Sequence, residues 1–223
     1  MNSEFQQLQD KYWNKDQSKR RTPFHPCVRA LFEPRAKYLQ SISDDAKDSI
    51  LEIGSGNGYL SVYLEEKFND VLVSDLSEEM LKHNPCKNKL KASATDLPLD
   101  DDSFDIVTCS HLLHHLNDND KIQALNEMRR VSRNKVVIYE PYRNNPFNFL
   151  FGLIVKEERE SLKFSKTYLK TLFMKSGMDI VNMRIEGCIL PNKAPKFWIP
   201  IGKYLEKTFF RNLGFYIRAT VLA

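Results

Sequence analysis

From Ser49 onward the chain keeps one rhythm: short apolar runs bounded by Gly, Asp or Pro alternate with longer amphipathic stretches. The runs are 49–54, 70–75, 104–109 and 135–141, with helical patterns over about 58–67, 77–83 and 119–133 between them. Strand and helix alternating at this interval build βαβ units, and so a parallel sheet covered by helices on both faces. The runs are nearly continuous in Val, Ile and Leu, as strands buried on both sides are. Ser77 followed by Glu78 and Glu79 marks a helix start, because a hydroxyl caps free amides and acids offset the helix dipole. Past Pro141 the pattern predicts a helix over 165–176, a strand over 178–186, a basic-aromatic helix over 196–210 and a last strand over 215–222. The tail is expected to close the sheet edge with one antiparallel strand. The fold class is α/β, doubly wound.

Before Ser49 the chain is polar and helix-like. Pro26 and Pro34 each suit the first turn of a helix, the second running to about Gln40. A length of 223 residues suits one domain, and 42% hydrophobic with 28% charged residues suits a folded globular one. The net charge of +4 is spread along the chain rather than gathered into a stripe, so no nucleic-acid partner is expected. Cys27, Cys86, Cys109 and Cys188 lie far apart without a C-x-x-C pair, which argues against a zinc ribbon or a disulfide-stapled domain. The first residues contain no apolar signal segment, and no run approaches the ~18 apolar residues of a membrane span, so a cytoplasmic protein is expected. The stretch 146–155 is unusually apolar, and packs as core or lines an apolar pocket.

The most informative segment is Leu51-Glu52-Ile53-Gly54-Ser55-Gly56-Asn57-Gly58. A strand ending in three alternating glycines and entering a helix lets backbone approach a ligand closely and presents helix amides to it. Asp75 ends the next strand 21 residues after Gly54, where an acid is placed to accept hydrogen bonds from ribose hydroxyls. A dinucleotide fingerprint wants glycine at the sixth position of the loop. Here that position is Tyr59, and glycine falls at the fifth, Gly58. No Gly-Lys-Ser/Thr follows, so a P-loop is excluded.

The acid-x-Gly-x-Gly-x-Gly spacing of Glu52 through Gly58 resembles the first motif of the class I S-adenosylmethionine-dependent methyltransferases. The likeness extends to Asp75-Leu-Ser-Glu-Glu-Met80-Leu81, Ala94-Thr-Asp96-Leu97-Pro98, Phe104-Asp105-Ile-Val-Thr and Leu112-Leu-His114-His115-Leu116. These motifs stand in the family's order over about 45–141, nearest the ubiquinone/menaquinone-methyltransferase-like small-molecule branch. The resemblance implies a Rossmann-like sheet of seven strands, S-adenosylmethionine as cofactor, and methyl transfer to a small, apolar, amphipathic or lipid-like organic acceptor. It implies that Gly54, Ser55 and Gly56 pack against the methionine part, that Gly58 also belongs to the cofactor site, and that Glu52 sits below the loop and holds it through the methionine amino group or through backbone amides. Asp75 would bind the ribose, Leu76 and Met80 would flank the adenine, and Asp96 would take its amino group beside Leu97. Ser110 would face the sulfonium. Residues 1–44 would form a helical lid, with Tyr12, Trp13, Arg21 and the turn at Phe24-His25-Pro26 over the cofactor. Residues 45–223 would form the methyltransferase domain, with 142–212 on the acceptor side.

If the acceptor must lose a proton, His114, His115 and His25 are the candidate bases. No metal is expected: His111 and His115 stand at i, i+4, but Leu112 occupies the place of a zincin glutamate and no carboxylate is near in sequence. The aromatic and basic segment 196–211 is read as a covering helix, or else a surface for anionic lipid. Other readings are a methyltransferase for RNA or protein, favoured by a basic cleft beside Asp96 and Ser110, and a cofactor-binding module without turnover. A nicotinamide-dependent reductase is opposed by the glycine spacing.

Overall fold

The computed structural model describes residues 9, 11–13, 20–45 and 47–223, without the side chains of 209 and 211. The expected N-terminal lid lies partly outside these residues. A long helix, α1 (Pro26–Ser41), precedes strand β1 (Ser49–Ile53), α2 (Ser61–Glu65), β2 (Asp70–Asp75), α3 (Glu78–His83) and a short β3 (Lys89–Lys91). Then come β4 (Phe104–Ser110), α4 (Asp118–Val131), β5 (Ser132–Pro141), α5 (Pro146–Ile154), α6 (Lys166–Lys175), β6 (Asp179–Glu186), α7 (Trp198–Glu206) and β7 (Tyr216–Leu222). Short 3-10 turns cover Leu113–His115, Lys156–Lys163 and Phe209–Leu213.

The seven strands form one sheet in the order β3-β2-β1-β4-β5-β7-β6. β7 runs antiparallel to both its neighbours, so the antiparallel strand sits one place in and β6 forms the edge. Side chains alternate between the two faces, as the two-residue period of a strand requires. Leu51, Ile53, Val107, Cys109, Val136 and Ile138 pack under α4 and α6 on one face. Ile50, Ile106, Val137 and Tyr139 pack under α1 and α2 on the other. Sequence order reverses between β1 and β4, which opens a crevice at the carboxyl ends of these strands.

Two expectations need correction. Pro26 and Pro34 do not begin separate helices: Pro26 opens α1 and Pro34 lies inside it. An internal proline removes one helical hydrogen bond, but Val28, Leu31, Phe32, Ala36 and Leu39 bury on the sheet across both halves, and that packing holds the helix together. The apolar stretch 146–155 is not core. Asn145 caps it through bonds from the Phe147 and Asn148 amides, it forms α5, and within that helix only Gly152 is buried.

Candidate active site

The carboxyl ends of β1, β2 and β4 open onto a cavity of about 1060 Å³. The chain leaves β1 through Gly54, Gly56 and Gly58, all with positive φ. At Gly58 (φ 86°) an added Cβ would stand 2.8 Å from Asn84 Oδ1 and Pro85 Cδ. Asn84 reaches over from the end of α3, donating toward Ser55 Oγ, Gly56 O and Ser61 Oγ while accepting from the Cys86 amide. Asp75 closes the loop from β2: one carboxylate oxygen accepts from Gly56 N at 2.8 Å, the other from Ser77 N at 2.8 Å. A carboxylate has about four lone-pair sites, so Asp75 retains capacity toward the cavity. Burial raises its pKa above the usual aspartate value. Glu52, at the floor, accepts from Ser61 Oγ at 2.5 Å, and burial lifts its pKa to about 8.

On the far side, β4 ends in Ser110 and the chain turns through His111, which has φ 61°. That left-handed conformation is uncommon away from glycine, and here the His111 amide is held by Tyr139 O at 2.8 Å. Ser110 Oγ accepts from Arg35 Nη1 at 2.9 Å, which leaves its own proton to donate elsewhere. Arg35 is almost wholly buried, paired with Glu186 at 3.0 Å and set among the rings of Phe32, Tyr139 and Tyr216.

The histidines after Ser110 differ sharply. Glu140 is fully buried at the end of β5 and accepts from the amides of Leu112 and Leu113 and from His114 Nδ1 at 2.6 Å. The other ring nitrogen of His114 lies 3.3 Å from Glu158. Burial opposes charge on His114, but Glu140 and Glu158 outweigh it and lift its pKa to about 10. His115 stands beside it, ring centroids 3.9 Å apart, with Nδ1 buried and without a hydrogen-bond partner among the described residues. Burial and the neighbouring His114 push its pKa well below the ordinary value. Trp13 packs edge-on against His115 at 4.8 Å.

Of the residues expected from sequence, Glu52, Gly54, Ser55, Gly56, Asp75, Leu76, Met80, Ser110, His114 and His115 line this cavity, as do Tyr12, Trp13 and Arg21. Gly58 lies behind the loop, packed on Asn84. Asp96 and Leu97 fall outside the lining. Asp96 is exposed and Leu97 is core, while Ala92, Ser93, Ala94 and Thr95 form the wall there. His25 caps α1 by accepting from the Cys27 amide, away from the cavity. Sequence reasoning missed Asn84, Arg35 and Glu158. Arg35 and Asn84 carry a trace, a basic residue on a buried helix face and an amide just past a helix. Glu158 carries none, since only the tertiary fold brings it to His114.

A family profile described as a methyltransferase domain matches residues 51–139. An uncharacterised protein of Methanocaldococcus jannaschii is 27% identical over 195 residues, 82% of this chain and 82% of that protein. A demethylmenaquinone methyltransferase of Clavibacter sepedonicus is 33% identical over 115 residues, 48% of this chain, and the chain spans 46% of that relative's length. Among solved structures, a SAM-dependent methyltransferase from Archaeoglobus fulgidus superposes with a TM-score of 0.65 at 20% identity, covering 87% of this chain and 94% of that one.

Proposed function

The chain belongs to the class I S-adenosylmethionine-dependent methyltransferases, and from that premise we propose that it methylates a small apolar or amphipathic organic acceptor by in-line displacement. The observation that carries this reading is one cavity with two differently built halves. At about 1060 Å³ it reaches the upper end of the ~300–1,000 Å³ of ordinary small-molecule sites, with room for cofactor and acceptor together.

The glycine loop, Asp75 and Met80 suit the cofactor half. Asp75 would accept from the ribose hydroxyls, Leu76 and Met80 would flank the adenine, and the wall at 92–95 would take the place first given to Asp96 and Leu97. Glu52 would face the methionine ammonium, and Ser110 the sulfonium. Bound there, S-adenosylmethionine supplies a methyl group already activated on sulfur, with a neutral thioether as leaving group. The remaining work of the side chains is alignment and exclusion of water, and holding reactants in near-attack geometry can contribute about 7–11 kcal/mol of the barrier.

Phe147 and Phe151 of α5 border the acceptor half, and this supports an apolar partner. Charges around the cavity are mixed, Arg20, Arg21 and Lys193 against Asp75, Asp120 and Glu158, which disfavours a phosphate backbone. Among the described residues no helix is long and apolar enough to cross a membrane.

Thermal unfolding with S-adenosylmethionine, S-adenosylhomocysteine and NADH in parallel tests the cofactor half. At about 100 times Kd a ligand stabilises by ~2.7 kcal/mol, a midpoint rise of roughly 5–11 °C for a chain of this size. The rise is expected with both adenosyl ligands, not with NADH, and is expected to vanish in Asp75→Ala. Incubating the enzyme with methyl-labelled S-adenosylmethionine and cell extract tests the acceptor. Label should enter an organic-extractable fraction; label in precipitated RNA or protein would refute a small acceptor.

A further inference from the structure

We propose that His114, His115 and Glu158 bind a divalent first-row transition metal ion, with zinc as the probe, in the acceptor half of the cavity. The site itself depends only on these side chains; its use in catalysis rests on the methyl-transfer reading above.

One ligand atom from each residue lies within 4.8 Å of the others. His114 Nε2 and Glu158 Oε2 stand 3.3 Å apart. Two donors about 2.0–2.2 Å from a tetrahedral zinc ion are separated by about 3.3–3.5 Å, so this edge already has the length coordination needs. The third donor is a ring nitrogen of His115, which lies within 4.8 Å of both. Behind His114 stands the support that metal-ligating imidazoles usually have, a carboxylate on the other ring nitrogen. Glu140 holds Nδ1 at 2.6 Å and is itself pinned by the amides of Leu112 at 3.0 Å and Leu113 at 2.7 Å. That leaves Nε2 directed at Glu158.

A proton on His114 alone would also join it to Glu158. It would leave His115 Nδ1 buried without a partner among the described residues, a condition that costs about 1–3 kcal/mol. A metal ion gives all three side chains a partner at once. Two imidazoles and one carboxylate suit zinc, cobalt, manganese or iron rather than calcium or magnesium, which prefer all-oxygen sets. Three protein ligands leave a coordination position toward the cavity, as catalytic zinc sites do. An ion held there would supply Lewis acidity that lowers the pKa of an acceptor hydroxyl, whose proton would pass to solvent water.

The test is metal titration of the full-length protein after chelator treatment and dialysis, with zinc and then with cobalt. One equivalent is expected, with the visible cobalt bands of a four-coordinate nitrogen and oxygen site and no thiolate charge-transfer band. Loss of even an outer partner weakens metal binding by about 10–100-fold, so His115→Ala and Glu158→Gln are each expected to weaken it by about 100-fold or more. Circular dichroism confirms that each variant is folded, and the cobalt spectrum of the unaltered protein carries the test if one is not. Absence of stoichiometric binding, a thiolate band, or undiminished binding in both folded variants would overturn the proposal. Binding of S-adenosylhomocysteine to the metal-free protein reports on the cofactor reading separately.

Discussion

Single residues of the glycine loop act through neighbours that the loop motif does not contain. Glu52 ends buried against Ser61 and Gly58 presses on Asn84, so each has a stability signature of its own. Folded Glu52 keeps its proton to about pH 8, whereas an unfolded glutamate releases it near pH 4.5. Between those values the folded state binds the extra proton, so stability falls as pH rises. The contribution is present in full below about pH 4.5 and gone above about pH 8. Denaturant unfolding across this range should show the unaltered protein losing a few kcal/mol relative to Glu52→Gln, then running parallel to it. A pH-independent difference between the two would refute a protonated Glu52. Gly58→Ala forces an L side chain into φ 86° and into Asn84 and Pro85. We expect a loss of about 1–3 kcal/mol, read as a midpoint drop of roughly 2–12 °C. Because Asn84 also holds Ser55 and Gly56, adenosyl binding should weaken in the same variant.

At the scale of elements, the sequence was most legible where period and punctuation agree. The apolar runs predicted over 49–54, 70–75, 104–109 and 135–141 are β1, β2, β4 and β5, and the tail pattern yields α6, β6 and β7. β3 escaped notice because it has three residues, Lys89–Lys91, two of them exposed lysines that carry no strand signature. α5 fits two readings, core or pocket wall, and its Phe147 and Phe151 line the cavity. Its apolar content suggested burial, yet helix formation needs only the Asn145 cap and Pro146 at the first turn, and the apolar faces stay largely in solvent. The candidate site was legible along β1, β2 and β4, where spacing places ligands. It was opaque at Glu158, which reaches the site through a contact distant in sequence. α1 yields a prediction from the one rule it breaks. Pro34 is exposed inside the helix, so its ring adds little packing while removing a hydrogen bond. An interior proline costs up to ~3 kcal/mol relative to alanine. Pro34→Ala should therefore stabilise by about 1–3 kcal/mol, and calorimetry showing a lower midpoint would overturn this account of Pro34.

Across the whole molecule, the cavity is roofed by segments from opposite ends of the chain. Arg21 Nη1 donates to Pro191 O and to Ala194 O, both at 2.8 Å, and Tyr59 OH bonds at the same junction to Arg21 O and Asn192 Oδ1. These contacts join the N-terminal segment and the loop before α7 directly above the glycine loop. The sheet beneath is held by two large packed cores, whereas this roof has the small apolar cluster of Cys27, Ala30, Ile189 and Ala194 and, among the described residues, a few polar bonds, some of them open to water. Opening it should therefore cost far less than unfolding the sheet, so ligand exchange can proceed while the fold stays intact. Arg21→Ala removes two charge-assisted bonds at a half-exposed site, and about 1.4 kcal/mol of that would appear as roughly tenfold faster release of S-adenosylhomocysteine. Stopped-flow release and thermal unfolding of the same variant separate the two layers. Faster release with a midpoint within a few degrees locates the effect in the roof. A large midpoint drop would mean that the junction is part of what holds the sheet together.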